Sequence, residues 1–438
     1  MKGERDTEGQ GSGKRRQGPH RVLVLVGTRP EAIKMAPVVE ALRRPGDEDL
    51  DVRVLLTGQH AELVDQTLEV FDLSPHWELG IMKEGQTLYD VADGCLRGVA
   101  RVLGEWDPDL VLVQGDTATV FFSALASFFE NAAVGHVEAG LRSGERRSPF
   151  PEELFRRLTA QTADLHFAPT DGARTNLLAE GVPSHRIWVT GNTVVDALLK
   201  ISRSTGRARD PRVRSLLESP DPFVLVTAHR RESFGPPLEA VFRSLAELAD
   251  TEGIRILFPV HPNPRVRDTA YGILEQCPGV TLTEPLSYHD LIRAMEGAAV
   301  ILTDSGGIQE EAPTFGVPVL VLREVTERPE GIRAGVAELV GTDPDRILEA
   351  CRRTLSRRQS AEAGAEERTN PYGDGRAGER IAAIVRDWLR TPAGTPEESN
   401  APGEGVGGAG MERSSSDAEP GSNSPERRGT RTESSGGS

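Results

Sequence analysis

The chain has 438 residues, 37% of them apolar, enough to bury more than one core at roughly 100–200 residues per domain. Its formal net charge of -16 excludes a general nucleic-acid binder, which would cluster Lys and Arg to displace counterions, so any phosphate site must be local. Cys95, Cys277 and Cys351 stand far apart, which excludes a disulfide framework or zinc–thiolate site and fits a reducing cytoplasm; no apolar run approaches the roughly 20 residues of a membrane span.

In chain order, residues 1–20 are polar and Gly-rich and lack a signal-peptide core, so they are expected to form a disordered tail. Then come VLVLV at 22–26, the helical pattern EAIKMAPVVEALRR, VRVLL at 52–56 and a second helical pattern, AELVDQTLEVF, at 61–71. Continuous β-branched runs separated by amphipathic stretches predict parallel strands buried on both faces. LVLVQ at 110–114, VGHV at 134–137 and a strand near 187–189 close a first lobe, 21–202. The Gly-, Pro- and charge-rich stretch 203–222 reads as a linker. The same rhythm restarts with FVLVT at 223–227, RILFPV at 255–260, VILT at 300–303 and PVLVL at 318–322, giving a second lobe over 223–375. A disordered tail is expected over 391–438; no other internal repeat is present.

The predicted class is therefore α/β, with two Rossmann-like doubly wound lobes and a site in the cleft between them. Such sheets bind ligands beyond the carboxyl ends of their strands. That rule selects Gly27-Thr28-Arg29, Gly58-Gln59-His60, Gly115-Asp116-Thr117, Glu138-Ala139-Gly140, His229-Arg230-Arg231, His261-Pro262-Asn263 and Asp304-Ser305-Gly306-Gly307.

Ser305-Gly306-Gly307 is the strongest local signal, because glycines let backbone approach a diphosphate and a helix start attracts anions. Taken alone, such a turn also simply joins strand to helix, and Glu311 there complements the helix dipole. GTRPEAIK is neither a dinucleotide fingerprint nor a phosphate loop, which disfavours NAD and ATP, although Arg29 and Lys34 are placed to meet an anion at the strand mouth. His229-Arg230-Arg231 adds a cationic cluster. Asp116, Glu138, Glu152 and Glu153 are candidates for proton transfer, their ordinary alternative being caps and backbone hydrogen bonds. The histidines lack metal-ligand spacing, so no metal is expected, and Ser305 lacks the frame of a nucleophilic serine.

Read together, GTRPEAIKMAPVV, TGQH, QGDT, HVEAGLRS, PFPEE, TGNTVVDAL, HRRESFG, PVHPNP, TDSGGIQEEAPTFGVPVLVLR and TERPEG resemble the non-hydrolysing UDP-N-acetylglucosamine 2-epimerases, from about residue 21 to 389. The resemblance implies the glycosyltransferase-B architecture, with the helix at 376–390 returning to the first lobe. It also implies a homodimer, and reversible conversion of UDP-GlcNAc to UDP-ManNAc through UDP elimination, a glycal and re-addition, without cofactor.

By matching motif, Arg29 and Lys34 would belong to the diphosphate and substrate pocket, Asp116 and Glu138 to the reacting sugar and Glu152 to the acid–base set. His229 would be the family's essential histidine and Ser305-Gly306-Gly307 the phosphate site. Glu311 would meet the ribose and Arg328 the substrate's charged end. Leu286 stands where certain relatives carry a polar side chain near the uracil, and Ala61, Glu62 and Gly85 stand in the neighbourhood where several bacterial members bind a second, activating UDP-GlcNAc, although Gln59 and His60 remain. A hydrolysing epimerase, a transferase of the same architecture and a silent UDP-sugar sensor are the competing readings.

Overall fold

A computed structural model describes residues 18–46, 48–58, 74–83, 85–204, 206–359 and 370–391. Most of both expected tails, the helix expected at 61–71, and Gln59, His60, Ala61 and Glu62 lie outside the described residues.

The first sheet contains, among the described residues, β1 (His20–Val26), β2 (Leu50–Leu56), β3 (Trp77–Glu78), β4 (Leu110–Gln114), β5 (Ala133–Val137), β6 (Leu165–Ala168) and β7 (Ile187–Val189). All pair in parallel, in the order β3-β2-β1-β4-β5-β6-β7. The second holds β8 (Phe223–Thr227), β9 (Arg255–Pro259), β10 (Val280–Thr283), β11 (Val300–Thr303), β12 (Val319–Val321) and β13 (Ala337–Leu339). Its order is β10-β9-β8-β11-β12-β13, again parallel. The α/β class with two doubly wound lobes read from the sequence is thus the observed fold.

Strand composition explains the layering. Val22, Val24 and Val26 of β1 face one side with Val38, Val39 and Leu42 of the helix Arg29–Leu42; Leu23 and Leu25 face the other with Val99, Val102 and Val120. Each buried aliphatic side chain of this kind contributes about 1.5–3 kcal/mol. One apolar cluster contains residues of both lobes, from Val22 to Val321, so the lobes share a core where the helices Thr193–Ser204 and Tyr288–Gly297 meet.

In each sheet the chain reverses direction across one strand pair, between β1 and β4 and between β8 and β11. Crevices at such switch points are where open α/β sheets bind ligands. The turns after β1 and β4 carry Arg29 and Asp116; those after β8 and β11 carry His229 and Ser305.

The stretch 203–222 contains the helix Pro211–Glu218, with Val213 and Leu216 buried three residues apart among charges that masked the pattern. The helix Ala377–Arg390 packs against Arg29–Leu42, where Arg386 Nη2 donates to the carbonyls of Ala41 and Leu42. Its first amides, of Ala377 and Gly378, are capped by Asp196 of the helix Thr193–Ser204. No helix among the described residues is long and apolar enough to cross a membrane.

Candidate active site

Thr28 caps the helix Arg29–Leu42 and Pro30 stands in its first turn, so Arg29 leaves the chain at the mouth of β1 and Lys34 lies one turn further in. Lys34 Nζ stands 2.8 and 2.7 Å from the two carboxylate oxygens of Glu138, at the end of β5, and 3.7 Å from Glu310 Oε2 in the second lobe. Arg328 Nε donates to Glu310 Oε1 at 2.8 Å, and Asn192 Nδ2 to Glu310 Oε2 at 3.0 Å. Buried charges persist only when paired. Burial disfavours the Lys34 ammonium, but Glu138 and Glu310 outweigh it and raise its pKa above the ordinary lysine range.

Glu138 adopts φ 64°. A left-handed glutamate is strained and persists where its surroundings enforce it, as clusters at functional sites do. Gln114 and Lys34 both donate to its carboxylate. Asp116 pairs with Arg156 of the helix Glu152–Thr162. Glu152 opens that helix, and no donor holds its carboxylate among the described residues. Its neighbour Glu153 is fully buried and accepts from Ser143 N and Arg157 Nε, a framework role.

Across the cleft, His229 Nδ1 lies 2.9 Å from Asp304 Oδ1, and Asp304 Oδ2 accepts the amides of His229 and Arg230. Burial pushes the Asp304 carboxyl up, but its contacts with His229 and the two amides prevail and hold it below the usual range. The His229 ring also stacks on His261, centroids 5.5 Å apart.

Ser305 precedes the helix Gly306–Glu311 without a side-chain cap bond. Neither Gly306 nor Gly307 adopts positive φ. Gly306 is needed for another reason: a Cβ there would lie 2.6 Å from the Arg328 guanidinium carbon, whereas at Gly307 the nearest atom would be 3.7 Å away. The glycine turn therefore seats Arg328. Glu311 is buried, with Oε2 lacking a hydrogen-bond partner among the described residues, as does the Tyr288 hydroxyl. Burial raises Glu311 to about 7, while Lys34 and Arg29 act in the opposite sense. Arg29 lies over the Tyr288 ring, 5.6 Å from its centroid.

Lys34, Glu138 and Arg328 are thus joined through Glu310, and Arg29 meets Tyr288 beside Glu311. Glu152 is not bonded to the other candidates. Asp304 was among the strand-mouth residues selected from the sequence but was given no role there, whereas Glu310, Arg156 and Tyr288 were not singled out for the site. Glu310 adjoins Glu311, which is the only signal it gives. Among the described residues no group of three His, Cys, Asp or Glu side chains is placed to hold a metal ion.

Two switch-point crevices, one edged by carboxylates and the other by a histidine and a seated arginine, define a two-lobed α/β protein of glycosyltransferase-B architecture. The sequence model described as UDP-N-acetylglucosamine 2-epimerase matches residues 42–386. The UDP-N-acetylglucosamine 2-epimerase of Escherichia coli strain K12 is 46% identical over 375 residues, 84% of this chain and 98% of that protein. The crystal structure of UDP-GlcNAc 2-epimerase from Neisseria meningitidis bound to UDP-GlcNAc has 40% identity and a TM-score of 0.76, covering 85% of this chain and all of that one. A glycotransferase of kitacinnamycin, at 13% identity and a TM-score of 0.59, shares the fold alone. The chain belongs to the UDP-N-acetylglucosamine 2-epimerase family.

Proposed function

We propose that the chain interconverts UDP-N-acetylglucosamine and UDP-N-acetylmannosamine by reversible inversion at C2 without hydrolysis. The observation carrying this reading is that Asp116 and Glu138 end the neighbouring strands β4 and β5, each paired with its own cation, Arg156 and Lys34. Across the cleft, Glu310 and Arg328 complete the ionic network that Lys34 enters.

The C2 proton of a nucleotide sugar is not acidic, because C1 is an acetal carbon. Loosening the C1–O bond must come first. As UDP departs with that electron pair, positive charge at C1 acidifies C2–H and a carboxylate takes the proton, leaving a C1=C2 glycal beside UDP. Delivery of a proton to the opposite face of C2, with return of the UDP oxygen to C1, gives the 2-epimer. Asp116, Glu138 and Glu152 share proton transfer and local charge control. His229, oriented by Asp304, assists departure of UDP.

Ser305, Gly306, Gly307 and Arg328 hold the diphosphate together with Arg29 and Lys34, cations that stabilise the charge developing on the leaving group. Glu311, buried beside Tyr288, is the acceptor for the ribose hydroxyls in this reading. Product analysis by NMR tests the reading: an equilibrium mixture of two UDP-sugars supports it, and accumulation of free N-acetylmannosamine with UDP assigns a hydrolysing enzyme instead.

The working form in this reading is a cytoplasmic homodimer. Phe128 and Phe129, 60% and 61% exposed at the end of the helix Ala118–Phe129, offer apolar area for a second copy. Cys95 and Cys351 are buried free thiols.

A further inference from the structure

Glu31 follows Thr28 by three residues, the spacing of a capping box, in which its carboxylate would return to the cap's own amide. It does something else. Oε2 accepts the amide of Gly27, one residue upstream, at 2.6 Å, and Oε1 accepts the hydroxyl of Thr117 at 2.9 Å. Gly27 leaves β1 and Thr117 follows the turn after β4, so one carboxylate spans the switch point of the first sheet.

The bridge is closed on its other side. Thr117 Oγ1 lies 2.7 Å from Thr119 Oγ1, and a Cβ on Gly27 would stand 2.4 Å from that Thr119 oxygen and 2.9 Å from Thr57 Oγ1. From below, the buried ring of His136 meets the Gly115 carbonyl through Nε2 at 2.8 Å. Burial pushes His136 down to about 3, so it is a neutral ring donating to that carbonyl at working pH. Asp116 sits between the two braced residues, Gly115 and Thr117.

Glu31 is 3% exposed and has no ion-pair partner among the described residues. Burial raises its carboxyl to about 7, with the Asp116 charge adding to that rise against the hydrogen bonds from Gly27, Thr117 and Thr28. An acceptor of two hydrogen bonds that shares its pocket with no cation is suited to holding backbone, whereas a charge meant for a ligand would face the open cleft.

We propose that Glu31 is a positioning residue: by tying the turn that carries Arg29 to the turn that carries Asp116, it fixes the distance and orientation between the diphosphate side and the sugar side of the site. The second lobe contains the matching device, since Asp304 ends β11 and accepts the amides of His229 and Arg230 after β8. Each switch point is thus clamped by a buried carboxylate. The inference rests on Asp116 acting at the sugar. A misplacement on the order of 1 Å costs about 10²-fold in rate where geometry matters.

The test compares Glu31→Gln with Glu31→Leu in the full chain. Glutamine can accept from Gly27 through Oε1 and donate to Thr117 through Nε2, keeping the bridge without charge; leucine cannot. The expected result is a kcat within about threefold of the parent for Glu31→Gln and at least about tenfold lower for Glu31→Leu, with KM for UDP-GlcNAc changed less than kcat. Thr117→Val against Thr117→Ser repeats the comparison from the other end and replaces it if the leucine variant does not fold. Unaltered kcat in both the leucine and valine variants overturns the inference, as does an equal loss in Glu31→Gln and Glu31→Leu, which would assign the role to the charge itself. If the parent protein shows no epimerisation, the functional reading fails first; if the parent is active and the variants match it, only the inference fails.

Discussion

His229 Nδ1 stands 2.9 Å from Asp304 Oδ1, while the other Asp304 oxygen accepts the amides of His229 and Arg230 at 2.7 and 2.8 Å. The same carboxylate therefore lies against the imidazole and fixes the backbone that carries it. Asp304→Asn removes the charge beside the imidazole; kcat should fall at least about tenfold, in the manner of other carboxylate–histidine pairs. UDP affinity by calorimetry should change less than kcat, and an unchanged kcat would separate Asp304 from the chemistry.

Asp116→Asn and Glu138→Gln should still bind UDP yet lose about 10²-fold or more in turnover, the usual cost of removing a general acid or base. Steady-state rates with calorimetric UDP titration check this. Loss of UDP binding in step with turnover would reassign the two acids to nucleotide binding.

Gly306→Ala should weaken UDP binding more than Gly307→Ala. A methyl at Gly306 meets the Arg328 guanidinium at 2.6 Å, and Arg328 in turn is held by Glu310. At Gly307 the added carbon makes only ordinary contacts. Equal effects of the two variants would mean that the turn acts through its backbone alone.

Folding stability should depend on Glu31 in a defined direction. Its pKa is raised from 4.5 to about 7, so the folded state binds the proton more tightly than the unfolded chain, and this contribution is fully present below about pH 4.5 and lost as pH rises through about 7. The full difference is on the order of 3 kcal/mol. Glu31→Gln cannot ionise, so its Tm relative to the parent should climb between about pH 5 and 8 in the absence of nucleotide; a constant offset would show that the carboxyl titrates normally in the fold.

Much of this fold was legible because its central strands are continuous apolar runs: VLVLV, LVLVQ, FVLVT and VILT all became strands buried on both faces. β3, β6, β10 and β13 escaped notice, being two to four residues long, and three of them lie at sheet edges, where one side is free of packing. The strand-mouth rule picked the turns that the two switch points bring to the candidate site, but not which carboxylate would face inward to backbone and which outward. Glu31 and Glu152 illustrate this: both are acids in the first turn of a helix, yet one is buried under two hydrogen bonds and the other is unheld among the described residues. Only the neighbouring strand decides that difference. Gly306 teaches the same lesson, since its missing side chain makes room for an arginine 22 positions later in the chain.

The central claim is that carboxylates of the first lobe move a proton at C2 while the second lobe retains UDP. Incubating the purified chain with UDP-GlcNAc alone in heavy water and following C2 by NMR tests it most directly. Deuterium is expected at C2 in both UDP-GlcNAc and UDP-ManNAc, with no acceptor required and no free sugar released. Retention of protium at C2, or deuterium found only in free N-acetylmannosamine, would contradict it.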